Sequence, residues 1–225
     1  METQNEKGLN LMKFYTILAG PFEVNTYIVF DDNAGEAANK KREGFIIDPG
    51  GQEKKIEKII KDENIDLKFI LNTHCHIDHV LMDNYFKEKY GIDIIAAKEE
   101  EYILQNLEEQ AEYLGFEYTG GVVIDRYLKD GEIIEIEGIK ILPIFTPGHS
   151  PGGVSFLIND THLFSGDTLF RNTVGRTDIL GGSSEQLIGS IKNKLMVLDD
   201  TLKVYPGHGE PTTIGYERKF NPYLI

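Results

Sequence analysis

Cysteine is nearly absent. Cys75 is the only one in 225 residues, so no intramolecular disulfide can form and nothing points to an oxidising compartment. Arginine is scarce, at five residues, and the formal net charge is -14. The chain therefore lacks the clustered cations that grip a phosphate backbone or an anionic membrane surface. No apolar run approaches the roughly 20 residues of a membrane-spanning helix, and Met1 to Leu11 holds no apolar core of signal-peptide length. Low-complexity segments and short repeats are missing too. These absences lead to the expectation of a cytoplasmic protein that binds neither nucleic acid nor membrane.

What is present suffices for a large core. With 40% hydrophobic residues, a chain of this length reads as one domain over residues 1–225. After a polar lead, Phe14 to Leu18 and Asn25 to Phe30 are β-rich runs parted by Gly20-Pro21, and Asp31 to Arg42 reads as a hairpin loop. Phe45 to Ile47 is a third strand, ending in Asp48-Pro49-Gly50-Gly51. Asp48 suits either a turn or capping acceptor, or a carboxylate that steadies a ligating imidazole. Gln52 to Glu63 carries Ile56, Ile59 and Ile60 on one helical face. Leu67 to Leu71 is a strand, Asp78 to Lys89 a helix, and Asp93 to Ala97 a strand. Lys98 to Leu114 reads as one charged helix with Tyr102, Ile103, Leu107 and Tyr113 as its apolar side and its glutamates in solvent. Strands follow at Glu132 to Ile136, Ile139 to Phe145, Val154 to Ile158 and Thr161 to Phe164. A helix over Glu185 to Val197, a strand over Leu202 to Tyr205 and a helix over Thr213 to Lys219 complete the pattern.

Asn72 to His79, Asn-Thr-His-Cys-His-Ile-Asp-His, places three imidazoles and a carboxylate on a strand-to-helix turn. Such groups repel one another unless a cation relieves them, and nitrogen and oxygen donors suit zinc and the first-row divalent ions. In extended backbone neighbours point to opposite sides, so if His74 and His76 face a metal, Cys75 faces the core as an inert thiol. Three further strand ends carry a metal-competent residue behind a glycine: Gly148-His149, Gly166-Asp167 and Gly207-His208. Each alone could be an ordinary turn residue; their repetition is the signal. Only His162, within a strand, is left over, as a structural residue.

Thr73-His74-Cys75-His76-Ile77-Asp78-His79, with Gly148-His149, Gly166-Asp167 and Gly207-His208, resembles the motif series of the metallo-β-lactamase superfamily. Within it, Gly166-Asp167-Thr168-Leu169-Phe170, Gly175-Arg176-Thr177-Asp178 and Tyr205-Pro206-Gly207-His208-Gly209 look like glyoxalase II hydrolases, from about Phe14 to Leu224. The resemblance implies an α/β fold, an αββα sandwich of two mixed β-sheets with outer helices and a binuclear site at one edge. By the family pattern His74, His76 and His149 hold one metal, Asp78, His79 and His208 the other, and Asp167 bridges them. Two divalent ions per chain are implied, zinc foremost, with iron or manganese as alternatives. The implied activity is hydrolysis of a small acyl thioester by a metal-bridging hydroxide that Asp78 also orients. A mononuclear-iron persulfide dioxygenase shares similar motifs and is the alternative. The C-terminal helical extension that supplies basic residues for glutathione in longer glyoxalase II enzymes has no counterpart here, so glutathione is a weaker expectation than the thioester. Arg171 and Arg176 could meet a substrate carboxylate, or Arg176 could pair with Asp178 and brace its loop.

Overall fold

The computed structural model describes residues 12–32, 41–118 and 120–225. The expected polar lead and most of the expected Asp31 to Arg42 loop lie outside them.

Two six-stranded sheets face each other. The first runs in the order β1 (Met12–Ala19), β2 (Val24–Asp31), β3 (Arg42–Ile47), β4 (Ile65–Leu71), β5 (Asp93–Ala96) and β6 (Arg126–Tyr127). Its first three strands pair antiparallel and its last three join in parallel. In the second half of the chain come β7 (Ile134–Ile136), β8 (Ile139–Phe145), β9 (Val154–Ile158), β10 (His162–Gly166), the small hairpin β11 (Leu169–Phe170) and β12 (Thr173–Val174), then β13 (Lys203–Pro206) and β14 (Thr212–Thr213). The second sheet is ordered β14-β13-β10-β9-β8-β7, with β10 and β13 parallel.

The alternation within each strand explains the layers. In β2, Tyr27 and Val29 point between the sheets, where they meet Phe14, Phe45, Phe156, Phe164 and Tyr205. Ile28 and Phe30 point outward, onto the helices of the first sheet. A strand covered on both faces has no polar side to show, which is why every residue of β2 is buried. On the outer face of the second sheet, Leu163 and Val204 pack under Leu187, Ile191 and Leu195. The result is the αββα sandwich. His162, at the strand edge, stacks on Tyr205 with ring centroids 5.6 Å apart and is structural.

Helices α1 (Glu53–Asp62), α2 (Ile77–Val80), α3 (Asp83–Tyr90), α4 (Glu101–Leu104), α5 (Leu107–Leu114), α6 (Ser184–Ser190) and α7 (Ile214–Phe220) fill the outer layers. Three expected helices are interrupted, two of them at a visible contact. Asp78 to Lys89 splits at Leu81-Met82, because the Met82 N–H donates to the Pro49 carbonyl, 2.9 Å away, instead of to its own helix. Lys98 to Leu114 is a 3-10 turn at Lys98–Glu100 followed by α4 and α5, which part where the Asn106 side chain donates back to the Tyr102 carbonyl. Beyond α6, capped as expected by Ser183, the chain widens into a π turn over Ile191–Leu195. The apolar side assigned to Lys98–Leu114 is also corrected. Ile103 and Leu107 are buried, but Tyr102 is 48% and Tyr113 87% exposed.

Candidate metal centre

The strands β3, β4, β8, β10 and β13 all end at one edge of the sandwich, and the polar residues singled out in the sequence sit just past those ends. Asn72 to His76 follows β4 as an extended segment. Its shape is set by bonds to neighbours: the Thr73 N–H and hydroxyl both donate to the Asp48 carboxylate, at 2.8 and 2.6 Å, and the Thr73 carbonyl accepts from the Val154 N–H at 2.7 Å. The backbone alternation throws His74 and His76 into the edge while Cys75, fully buried, drops into the core beneath the helices. Burial raises the Cys75 thiol well above its ordinary value.

Two trios of side chains converge. The rings of His74, His76 and His149 lie 4.7 to 4.8 Å apart, and His76 Nδ1 is 3.0 Å from His149 Nε2. In the second trio His79 Nε2 is 3.3 Å from His208 Nε2, and Asp78 Oδ2 is 3.8 Å and 3.5 Å from those two nitrogens. Two nitrogens at about 2.0–2.1 Å from a tetrahedral ion stand about 3.3 Å apart, so these are ligand spacings. Asp167 lies between the trios: Oδ1 is 3.6 Å from His79 Nε2, and Oδ2 is 3.6 Å from both His149 Nε2 and His208 Nε2. A side chain at Gly207 would not fit, since a Cβ there would stand 2.2 Å from Asp167 Oδ1.

The far nitrogens of four rings are held by other groups. His79 Nδ1 meets Asp48 Oδ2 at 3.1 Å, His149 Nδ1 the Arg176 carbonyl at 2.8 Å, His208 Nδ1 the Phe22 carbonyl at 2.9 Å, and His74 Nδ1 the Thr73 hydroxyl at 3.1 Å. Each contact leaves Nε2 for the centre, the arrangement that orients ligating imidazoles. Asp48 thus contacts the His79 ring and also forms the turn, with φ 51°.

Charge separates the trios. Burial and the neighbouring imidazoles push His74 well below its ordinary value and His76 down to about 3, and burial also lowers His149 against the pull of Asp167. At His79 burial acts the same way, but Asp78, Asp167 and Asp48 outweigh it and hold the ring up to about 10. Burial would raise the Asp78 carboxyl, yet His79 and His208 keep it well below the usual carboxylate range. One trio therefore offers neutral nitrogens; the other, through Asp78 and the adjacent Asp167, draws in positive charge. Buried His74 Nε2 and Asp167 Oδ1 have no hydrogen-bond partner, a costly state that a divalent cation would relieve. The residues present fit two such ions.

The centre forms the floor of a cleft of about 870 Å³ with largely apolar walls, among them Phe22, Tyr113, Leu114, Phe170, Ile179 and Leu180. Both nearby arginines are already paired, Arg176 with Asp178 through two bonds of 2.9 and 3.2 Å and Arg171 with Glu210 at 3.0 Å. Sequence reasoning missed Glu100. Placed among solvated glutamates, it is fully buried, and it accepts from the Cys75 and Gly152 N–H groups, both at 2.7 Å. Only the preceding buried strand, β5, hinted at this. Nothing distinguishes Glu100 from Glu99 in composition.

Comparison with known proteins gives the family. The hydroxyacylglutathione hydrolase GloC of Haemophilus influenzae is 35% identical over 206 residues, covering 90% of this chain and 93% of the relative. Among solved structures, the BLEG-1 B3 metallo-beta-lactamase superposes with a TM-score of 0.84 at 33% identity, covering 94% of this chain and 99% of that one. TTHA1623, solved in a di-iron-bound form, gives 0.80 at 30%, covering 93% and 100%. The model of the Metallo-beta-lactamase superfamily, whose members bind divalent metals, matches residues 19–208, and with the two-trio edge just described this chain belongs to that superfamily of metallo-hydrolases.

Proposed function

We propose that the protein is a binuclear hydrolase of small acyl thioesters. The observation that carries this reading is Asp167, whose two oxygens stand within 3.6 Å of nitrogens from both trios at the floor of an apolar cleft. In this reading His74, His76 and His149 would hold one ion and Asp78, His79 and His208 a second, with Asp167 placed between them; zinc is the first choice, with iron or manganese as alternatives. When bound, such ions lower the pKa of a coordinated water toward about 7 and polarise a carbonyl.

The chain's own groups do the rest. Asp78, whose side chain is 18% exposed, presents an acceptor to the attacking water and directs its lone pair at the carbonyl carbon. Asp48 keeps His79 in the tautomer that turns Nε2 inward. The apolar walls take the acyl group and exclude bulk water. Arg171 and Arg176 line the cleft paired with Glu210 and Asp178, so the reading of a thioester substrate does not require glutathione. The likeness to GloC supports the same bond type. A single buried thiol suits the reducing cytoplasm.

The test is thiol release by zinc-reconstituted protein under anaerobic conditions, from a panel that includes S-lactoylglutathione and simpler acyl thioesters. Activity is expected, with Asp78→Ala lowering turnover about a hundredfold. Failure across the panel with zinc, iron and manganese, together with iron-dependent oxygen uptake on a persulfide, would falsify the hydrolase reading in favour of the dioxygenase.

A further inference from the structure

One buried carboxylate joins the two loops that carry the three-histidine trio. Glu100 stands in the 3-10 turn after β5; Glu99 beside it is exposed, whereas Glu100 is fully buried. Its Oε2 accepts from the N–H of Cys75, the residue between His74 and His76. Its Oε1 accepts from the N–H of Gly152, in the turn that begins at His149. Both bonds are 2.7 Å long. The packing is equally close: a Cβ on Gly152 would lie 2.9 Å from Glu100 Cγ and 3.0 Å from Ala97 Cβ. The His149 loop is thus pressed onto the same turn that holds the His74-Cys75-His76 segment.

We infer that Glu100 is a positioning residue that sets the spacing of His74 and His76 against His149, and so the affinity of that one metal site. The inference rests on the reading of these histidines as ligands. A carboxylate is needed because it accepts two N–H groups at once. Glutamine offers one acceptor oxygen and turns its amide N–H groups on the second donor, leaving a buried backbone N–H unpaired. The second trio does not use this support, for His79 is held through Asp48 and His208 through the Phe22 carbonyl. Loss of such an outer contact weakens metal affinity about 10–100-fold.

The experiment is a competitive chelator titration, with zinc and with cobalt, of the full chain as wild type, Glu100→Gln, Glu100→Asp, the exposed control Glu99→Gln, His149→Ala and the double variant Glu100→Gln/His149→Ala. Glu100→Gln should weaken one of two binding steps about 10–100-fold and alter the cobalt absorption of that step, while the other step stays within about threefold. In the His149→Ala background it should do nothing further, because the site it serves is gone. Equal weakening of both steps, or of neither, overturns the inference. Should circular dichroism find Glu100→Gln unfolded, Glu100→Asp, which keeps the charge but reaches only one N–H, decides by the same criterion. A wild type that binds fewer than two ions sinks the metal reading itself and this inference with it; a wild type that binds two, with Glu100→Gln unchanged, sinks this inference alone.

Discussion

At the scale of single residues, His74-Cys75-His76 shows how one backbone alternation divides chemistry from packing. The imidazoles face the edge and the thiol faces the core. Asp167 places its two carboxylate oxygens 3.6 Å from nitrogens of both trios. Asp167→Ala should therefore lose both metal ions, whereas Cys75→Ala should keep both and lose only about 1 kcal/mol of stability to the small cavity it opens. Elemental analysis of the two variants side by side checks this. A cysteine variant as depleted as the aspartate variant would sink the bridging role.

At the scale of elements, the interruptions matter more than the helices themselves. The break at Leu81-Met82 lets α2 end under the Pro49 carbonyl, which ties the ligand-bearing turn to the Asp48 loop. The end of α1 is fixed in another way. Glu63, just past its last turn, accepts from Lys13 and Tyr15 of β1 and from Arg42 of β3. Burial would raise the Glu63 carboxyl, but those partners outweigh it and pull its pKa below the ordinary 4.5. A carboxylate so depressed contributes stability that is fully present above its unfolded value and is lost as pH falls through the folded one. Glu63→Gln should thus be less stable than wild type by about 1–3 kcal/mol at pH 7. The gap should narrow once the pH drops below about 4.5. Urea unfolding of both proteins at pH 7 and pH 3 measures it, and a gap of constant size would show that the bonds work without the charge.

At the scale of the whole molecule, the centre joins the two sheets. His74, His76, Asp78 and His79 follow β4 of the first sheet, while His149, Asp167 and His208 follow β8, β10 and β13 of the second. In the proposed reading, ions held between them would act as a cross-link made only in the folded state. Ligand at a thousandfold its dissociation constant contributes about 4 kcal/mol, and a chain of this size gains about 2–4 °C per kcal/mol. For two such ions, together about 8 kcal/mol, chelation should lower Tm by about 16–32 °C, and about two equivalents of zinc should restore it. A melting curve indifferent to chelator would mean that the ions do not bridge the sheets.

Local pattern was enough to read the layers and the polar residues that gather at the strand ends. Ile56, Ile59 and Ile60 recur at the helical period, the run Tyr27-Ile28-Val29-Phe30 of β2 is apolar because both of its faces are covered, and each metal-competent residue behind a glycine marks a strand end. Such signals are local, since burial imposes its period on neighbouring residues. Where the chain stops obeying its own period was decided elsewhere: the Pro49 carbonyl breaks one helix, and Asn106 parts another. Tyr113 reads as core from its spacing yet stands 87% exposed at the mouth of the cleft. Glu100 is the sharpest case. Its composition and its glutamate neighbours say solvent, and only the tertiary structure, by bringing the N–H groups of Cys75 and Gly152 to its two oxygens, makes its burial affordable. A charge can leave water only where donors distant in the sequence replace the water it loses, and no local pattern records where those donors will be.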